Sequence, residues 1–393
     1  MKKIHFGICG LGFAGSVLMG PDLKGHPGVE LVGACDPNED VRCRFAKDHG
    51  IPGFATLGEM LRETKPEAVY IASPHQFHAE NVIEAAGMGI HVIVEKPLTI
   101  SMDDAQRIVE AVKKAGIHLV VGPSRGNDPV VKTMRNIVLS GEVGKVAMIN
   151  CWNYTDFLYR PRRPEELDTS KGGGIIFNQL PHAIDSIKAI SNEKVLAVRA
   201  MTGKLDPERP TEGHCSAFLT LGNGVSATVV YSGYDHFDTD EMQFWVGEVG
   251  NPKTANHGSS RKVLRELQGS ERDLRVQRYG YGGPVMQGLA SLQDKRKQAH
   301  FGVMIASCER ADLRPSPDGV LIYGDEGVRE VPAVQTQGSN RLSDTTIDEL
   351  LDAIRGKAPV LRDAQWGMDT VRVCLALLES SRTGEQIKLS TFR

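Results

Sequence analysis

A glycine-rich turn, Gly10-Leu11-Gly12-Phe13-Ala14-Gly15, follows directly on the β-prone run Ile4-His5-Phe6-Gly7-Ile8-Cys9. The G-x-G-x-x-G spacing between a strand and a helix constrains the fold more than any other feature, because each glycine has a separate mechanical task. Gly10 makes a tight turn, Gly12 lets the backbone approach a pyrophosphate, and Gly15 allows the helix to lie close on the strand. Phe13 and Ala14 open that helix, whose free N–H groups and positive dipole end would face the phosphates. Glycine turns are common, so the context decides. A second strand, Val29–Cys35, ends in Asp36, about twenty residues beyond Gly15. A carboxylate there accepts hydrogen bonds from the adenosine ribose hydroxyls and repels a 2′-phosphate, which favours NAD over NADP.

The alternation continues. A predicted strand, Ala68–Ala72, runs into Ser73-Pro74-His75-Gln76-Phe77-His78, and the apolar run Ile90–Val94 ends in Glu95-Lys96-Pro97 before a helix and the strand His118–Gly122. Strands and helices at this spacing predict an α/β domain with a Rossmann-type, doubly wound parallel sheet over residues 1–123. Open sheets of this kind bind ligands at the carboxyl ends of their strands, which is where Lys96 stands. Taken alone, the tripeptide reads more simply as a surface ion pair. His78 is open between two readings, a helix-start residue packed on the sheet or a cofactor contact.

These motifs, in this order and spacing, resemble the Gfo/Idh/MocA family of NAD(P)-dependent oxidoreductases. The resemblance implies that Lys96 lies beside the nicotinamide and the substrate hydroxyl. It also implies that Gly10, Gly12, Phe13, Ala14, Gly15, Asp36, Ser73, Pro74, His75, His78, Glu95 and Lys96 form the cofactor site.

After Pro123 the pattern changes to that of an α+β domain with an open, largely antiparallel sheet, over residues 124–393. A helix, Pro129–Ser140, precedes alternating runs at Lys145–Tyr154, Val195–Thr202, His214–Leu221 and Val225–Tyr231, the last two joined by the hairpin signal Gly222-Asn223-Gly224. An uncovered sheet face is a natural interface, so a homo-oligomer, dimer or tetramer, is expected through it. Between the first two runs, Tyr159 precedes three arginines, Arg160, Arg162 and Arg163, braced by Pro161 and Pro164. Arginine suits bidentate carboxylate binding. Each guanidinium could instead pair with Glu165, Glu166 or Asp168, but the expectation is that not all three are neutralised in this way. A glycine run, Gly172-Gly173-Gly174, then opens a helix in which Asn178, His182 and Asp185 share one face by spacing.

The glycine run with H-x-x-D resembles the family's second signature, which implies a proton-transfer role for His182. An asparagine at position 178, where many members carry aspartate, cannot serve as a base, so proton removal would rest on Lys96 and His182. The stretches Asn153–Asp168 and Tyr231–Asp238 are similar to the phthalate 4,5-cis-dihydrodiol dehydrogenases within this family. That similarity implies oxidation of a dianionic ring cis-diol to 4,5-dihydroxyphthalate, with Tyr159, Arg160, Arg162, Arg163, Asn178 and His182 at the substrate. A sugar or inositol dehydrogenase, or a nicotinamide-binding regulator without catalysis, are the competing readings.

Composition narrows the remaining classes. A formal charge of −3 gives no electrostatic case for nucleic acid or an anionic membrane. No apolar run approaches the ~20 residues of a membrane span, so a cytoplasmic protein is the expectation. Seven scattered cysteines suggest neither a disulfide framework nor a thiolate metal site. His236, Asp238, Asp240 and Glu241 read better as a solvated acidic turn than as metal ligands. Residues 250–302, rich in glycine and charge, look like a mobile insertion.

Overall fold

The computed structural model describes residues 2–291, 296–334 and 343–392, so part of the charged run Gln293–Lys297 lies outside the described residues. The chain forms two compact units. The first comprises Met1–Pro123 with Val276–Ser291 and Thr336–Val371, and the second comprises Ser124–Arg275, Leu292–Gln335 and Arg372–Arg393.

The first unit is built on strands β1 (Ile4–Cys9), β2 (Val29–Cys35), β3 (Gly53–Phe54), β4 (Ala68–Ile71), β5 (His91–Val94) and β6 (Leu119–Val121), parallel throughout in the order β3-β2-β1-β4-β5-β6. Every residue of β4 is buried, as a strand covered by helices on both faces requires. Crossover helices start where the sequence offers caps. Asn38 accepts from the Val41 N–H, Thr56 and Glu59 cap reciprocally, and Ser101 accepts from the Asp104 N–H. Helix Asp344–Ile354 adds Ile347, Leu350 and Leu351 to the core around Phe6, Ile8 and Tyr70.

Strand order reverses between β1 and β4, which places a crevice at their carboxyl ends. Gly10 turns there at φ +93°, and a Cβ on it would lie 2.7 Å from the Ala72 carbonyl carbon. A Cβ on Gly15 would sit 1.9 Å from the Gly10 carbonyl oxygen, so the first helical segment, Phe13–Met19, lies directly on the turn.

The second unit holds β7 (Val146–Tyr154), β8 (Val195–Gly203), β9 (His214–Leu221), β10 (Ser226–Ser232), β11 (Val303–Cys308), β12 (Ala311–Pro315), β13 (Gly319–Gly324), β14 (Gly327–Pro332) and β15 (Ile387–Lys388). Their order is β14-β13-β12-β11-β7-β10-β9-β8-β15. Neighbours are antiparallel except β10 and β7, which run parallel because the β9–β10 hairpin returns alongside the unit's first strand. Helix Leu180–Ser191 packs on one face, against β7 and β10. The other face leaves Trp152 48%, Met201 68% and Phe218 49% exposed.

Residues 250–302, expected as a mobile insertion, carry the helices Ser259–Arg265, Glu271–Tyr279 and Pro284–Ser291. Glu271 pairs with Arg209, and Arg275 with Glu166 at 3.1 Å. Among the described residues no helix is long and apolar enough to cross a membrane.

Gly15→Ala is expected to destabilise the first unit by about 1–3 kcal/mol, because the added methyl must force the helix off the turn. A thermal unfolding scan that matches the unsubstituted protein would contradict the close packing described here.

Candidate active site

Main-chain groups that leave the ends of β4 and β5 have no further strand partners, and side chains from nearby loops satisfy them. His78 is fully buried. Its Nδ1 lies 3.0 Å from the Pro97 carbonyl and its Nε2 2.9 Å from the Ser73 carbonyl, so the ring ties the Ser73 loop to the Lys96-Pro97 turn. Burial lowers its pKa, although those carbonyls pull the other way. Ser73 in turn accepts from the Asn81 amide at 2.8 Å, Pro74 is exposed, and His75 packs edge-on against His78.

Glu95 accepts the Tyr70 hydroxyl at 2.5 Å and the Lys96 N–H at 3.2 Å, which holds the turn that presents Lys96. Burial pushes the Glu95 carboxyl up against the pull of Lys96 and Tyr70. Burial and then the Glu95 charge push the Tyr70 hydroxyl well above the usual phenol range. Glu95 thus braces the main-chain turn at Lys96.

At the glycine turn, Asp36 accepts the Leu11 N–H at 2.7 Å and the Asn38 N–H at 2.8 Å, so the carboxylate is fixed at the tip of β2. Gly12 is exposed, and a Cβ there would meet nothing within 4 Å. Phe13 packs edge-on against Tyr279 at 5.6 Å, and Ala14 is half-buried on the same helical segment. This open glycine backbone beside a placed carboxylate fits a dinucleotide: Gly10 to Gly15 would hold the pyrophosphate and Asp36 the ribose.

In the second unit the predicted helix is two helices, Gly174–Asn178 and Leu180–Ser191, broken at Gln179. The expectation of one continuous helix through Asn178 and His182 is therefore corrected. Asn178 donates to the Gly172 and Gly174 carbonyls, each at 2.8 Å, and so braces the glycine run where Gly172 and Gly174 turn through positive φ. His182 sits in the first turn of the second helix, where its Nδ1 accepts the Arg125 main-chain N–H at 3.3 Å and its ring packs on Phe301. Asp185 is buried one turn later.

The arginine loop also differs from expectation, since all three guanidiniums face carboxylates. Arg160 binds Asp156 at 2.6 Å and Glu248 at 2.9 Å; Arg162 lies 3.6 Å from Glu166; Arg163 lies 3.2 Å from Glu165. Two of these partners, Asp156 and Glu248, were not foreseen, while Asp168 pairs with Lys171 instead. Burial opposes it, yet Arg160 holds the Asp156 carboxyl down at about 2. Burial brings Arg162 down to about 10 despite Glu166. Tyr159 donates to Asp206 at 2.5 Å beneath the Arg261 guanidinium, and burial together with Asp206 pushes its hydroxyl up to about 12. In the acidic turn, Asp238 and Asp240 converge on Lys253, and Glu241 binds His257.

Sequence reasoning missed Tyr70, Arg125, Glu248, Arg261 and Phe301. None belongs to a spaced motif. Arg125, two residues beyond the predicted domain boundary, offered the best signal, as a cation in a Ser-Arg-Gly-Asn turn.

Residues 4–123 match the family described as "Oxidoreductase family, NAD-binding Rossmann fold", and residues 131–250 match the "GFO/IDH/MocA C-terminal domain". The chain is 36% identical over 386 residues to the 1-carboxy-3-chloro-3,4-dihydroxycyclohexa-1,5-diene dehydrogenase of Comamonas testosteroni, covering 96% of this chain and 95% of the relative. A crystal structure from Bordetella bronchiseptica RB50, assigned to a dehydrogenase, is 64% identical with a TM-score of 0.95, over 98% of this chain and 100% of that one. An oxidoreductase of Agrobacterium radiobacter, crystallised with NAD+, L-tartaric acid and magnesium, shares the fold at 15% identity and a TM-score of 0.73, over 100% of both chains. The chain belongs to the Gfo/Idh/MocA family of NAD-binding oxidoreductases.

Proposed function

We propose that this dehydrogenase oxidises a carboxylated ring cis-dihydrodiol, phthalate 4,5-cis-dihydrodiol, to 4,5-dihydroxyphthalate. The observation that carries this reading is the whole-chain likeness to a relative whose name specifies a cyclohexadiene with one carboxyl and two hydroxyl groups. Bound NAD supplies the hydride acceptor. The protein's own task is then to hold the diol in place and take one hydroxyl proton, after which aromatisation of the ring makes the reaction downhill. Lys96 is the proton acceptor in this reading, held by Glu95 at the end of β5. Tyr159, Arg160, Arg162, Arg163, Asn178 and His182 make up the proposed substrate side, with Asn178 as a brace for the glycine run.

The internal pairing of all three loop arginines favours a second reading, a diol with a single carboxylate, as the relative's name describes. Purified protein with NAD should raise absorbance at the NADH band with the phthalate diol. A faster rise with the monocarboxylated diol would select the second reading, and turnover of myo-inositol alone would reject both. Lys96→Ala is expected to lower kcat about 10²- to 10⁴-fold; unchanged turnover would remove Lys96 from proton transfer.

Asp36→Ala should weaken NAD about ten-fold or more, from the loss of charged hydrogen bonds, and improve relative use of NADP. Equal use of the two cofactors by the unsubstituted protein would refute the role given to Asp36.

We also place a homo-oligomer, dimer or tetramer, on the open sheet face that exposes Trp152, Met201 and Phe218. Light scattering should report two or four chains, and Phe218→Glu should lower that mass. A monomer at all concentrations would exclude the interface.

A further inference from the structure

Part of the 250–302 stretch belongs to the dinucleotide-binding unit, since Val276–Ser291 group with Met1–Pro123. A tyrosine holds it there. Tyr281 is buried, with its ring 5.2 Å from Phe45 and 6.4 Å from His49 of the helix Glu39–His49, and the Arg44 guanidinium lies over it at 5.8 Å. Burial, with Asp48 close by, pushes the Tyr281 hydroxyl up to about 12, so at neutral pH it remains a donor to that carboxylate. Gly282 follows at φ +78°, and a Cβ on it would lie 2.6 Å from Arg44 Nη2. Met286 then packs against the core of the unit.

Two residues before this anchor, Tyr279 meets the glycine turn. Its ring stands edge-on to Phe13, with 5.6 Å between centroids and 89° between planes. Phe13 directly follows Gly12, so it stands in the part of the G-x-G-x-x-G turn whose open backbone fits a pyrophosphate. Edge-to-face packing on Phe13 would be served equally by a phenylalanine. What a tyrosine adds is a hydroxyl, and the two tyrosines use theirs differently. Tyr281 gives its own to Asp48, whereas the Tyr279 hydroxyl meets no hydrogen-bond partner among the described residues.

We propose that Tyr279 is a cofactor-binding residue whose hydroxyl donates a hydrogen bond to a diphosphate oxygen of NAD, held in place by the Tyr281 anchor. The glycine turn offers the diphosphate only main-chain N–H groups. A phenol adds a side-chain donor from an element outside the strand-turn-helix motif, and a bond to a charged oxygen is stronger than a neutral one. Tyr279 reads the diphosphate alone, which leaves the choice between NAD and NADP to Asp36. The inference concerns the cofactor and does not depend on which diol is oxidised.

Isothermal titration calorimetry on the full-length protein tests this without turnover. Tyr279→Phe keeps a ring on Phe13 and removes only the hydroxyl. It should weaken NAD and ADP-ribose by the same factor, about ten-fold, since both carry the diphosphate. Tyr279→Ala, which removes the ring as well, should lose at least as much. The ³¹P resonances of bound NAD should also differ between the unsubstituted protein and Tyr279→Phe, and identical resonances would exclude a contact with the diphosphate. An unchanged dissociation constant in Tyr279→Phe would overturn the proposal and leave Tyr279 as packing on Phe13. A loss confined to NAD, with ADP-ribose unaffected, would overturn it too, because the hydroxyl would then act at the nicotinamide end.

Discussion

The first unit depends on how polar main-chain groups are satisfied where parallel strands end. Inside the sheet each N–H and C=O has a ladder partner, but at the carboxyl ends of β4 and β5 the ladder stops while the chain is still largely buried. Two side chains complete it. His78 bridges the Ser73 and Pro97 carbonyls, and Glu95 gathers the Tyr70 hydroxyl and the Lys96 N–H. Those bonds fix the loops in place, so Lys96 is presented by a braced turn instead of a loose one. The same logic operates at β2, where Asp36 takes the Leu11 and Asn38 N–H groups and so shapes the glycine turn it was expected only to accompany.

Charge in the second unit is organised by burial more than by display. An arginine-rich loop invites the idea of a cationic receptor, yet Asp156, Glu166 and Glu248 reach Arg160 and Arg162 from one side or another. A guanidinium nine-tenths buried, as Arg162 is at 9% side-chain exposure, needs such a partner. Burial, and not position along the chain alone, selects these partners. It also explains why local acidic neighbours were a good guide for Arg163 and a poor one for Arg160, whose second partner lies 88 residues away.

The break at Gln179 shows the limit of periodic spacing as a guide. Four- and three-residue intervals put Asn178, His182 and Asp185 on one face only if one helix runs through them. Here a five-residue helix ends at Asn178, and that side chain bonds back to the glycine run that precedes it. His182 begins again in the next helix, with its orientation taken from the Arg125 N–H, 57 residues earlier. Spacing named these residues but not the partners they take.

The sequence by itself determined the doubly wound sheet, the glycine turn, the acidic tip of β2 and the lysine at the end of β5. These follow from local spacing, since strand and helix periods, caps and glycine geometry act within a few residues of one another. Only the tertiary structure decided which carboxylates meet the arginines, that Tyr70 meets Glu95, that Asn178 bonds back to the glycine run, and which nitrogen of His182 accepts from Arg125. The long-range pairings among these, Arg160 with Glu248, Tyr70 with Glu95 and His182 with Arg125, join atoms that burial brings together from separate elements. A buried polar group takes whichever partner the packing supplies, and spacing along the chain carries no record of that choice.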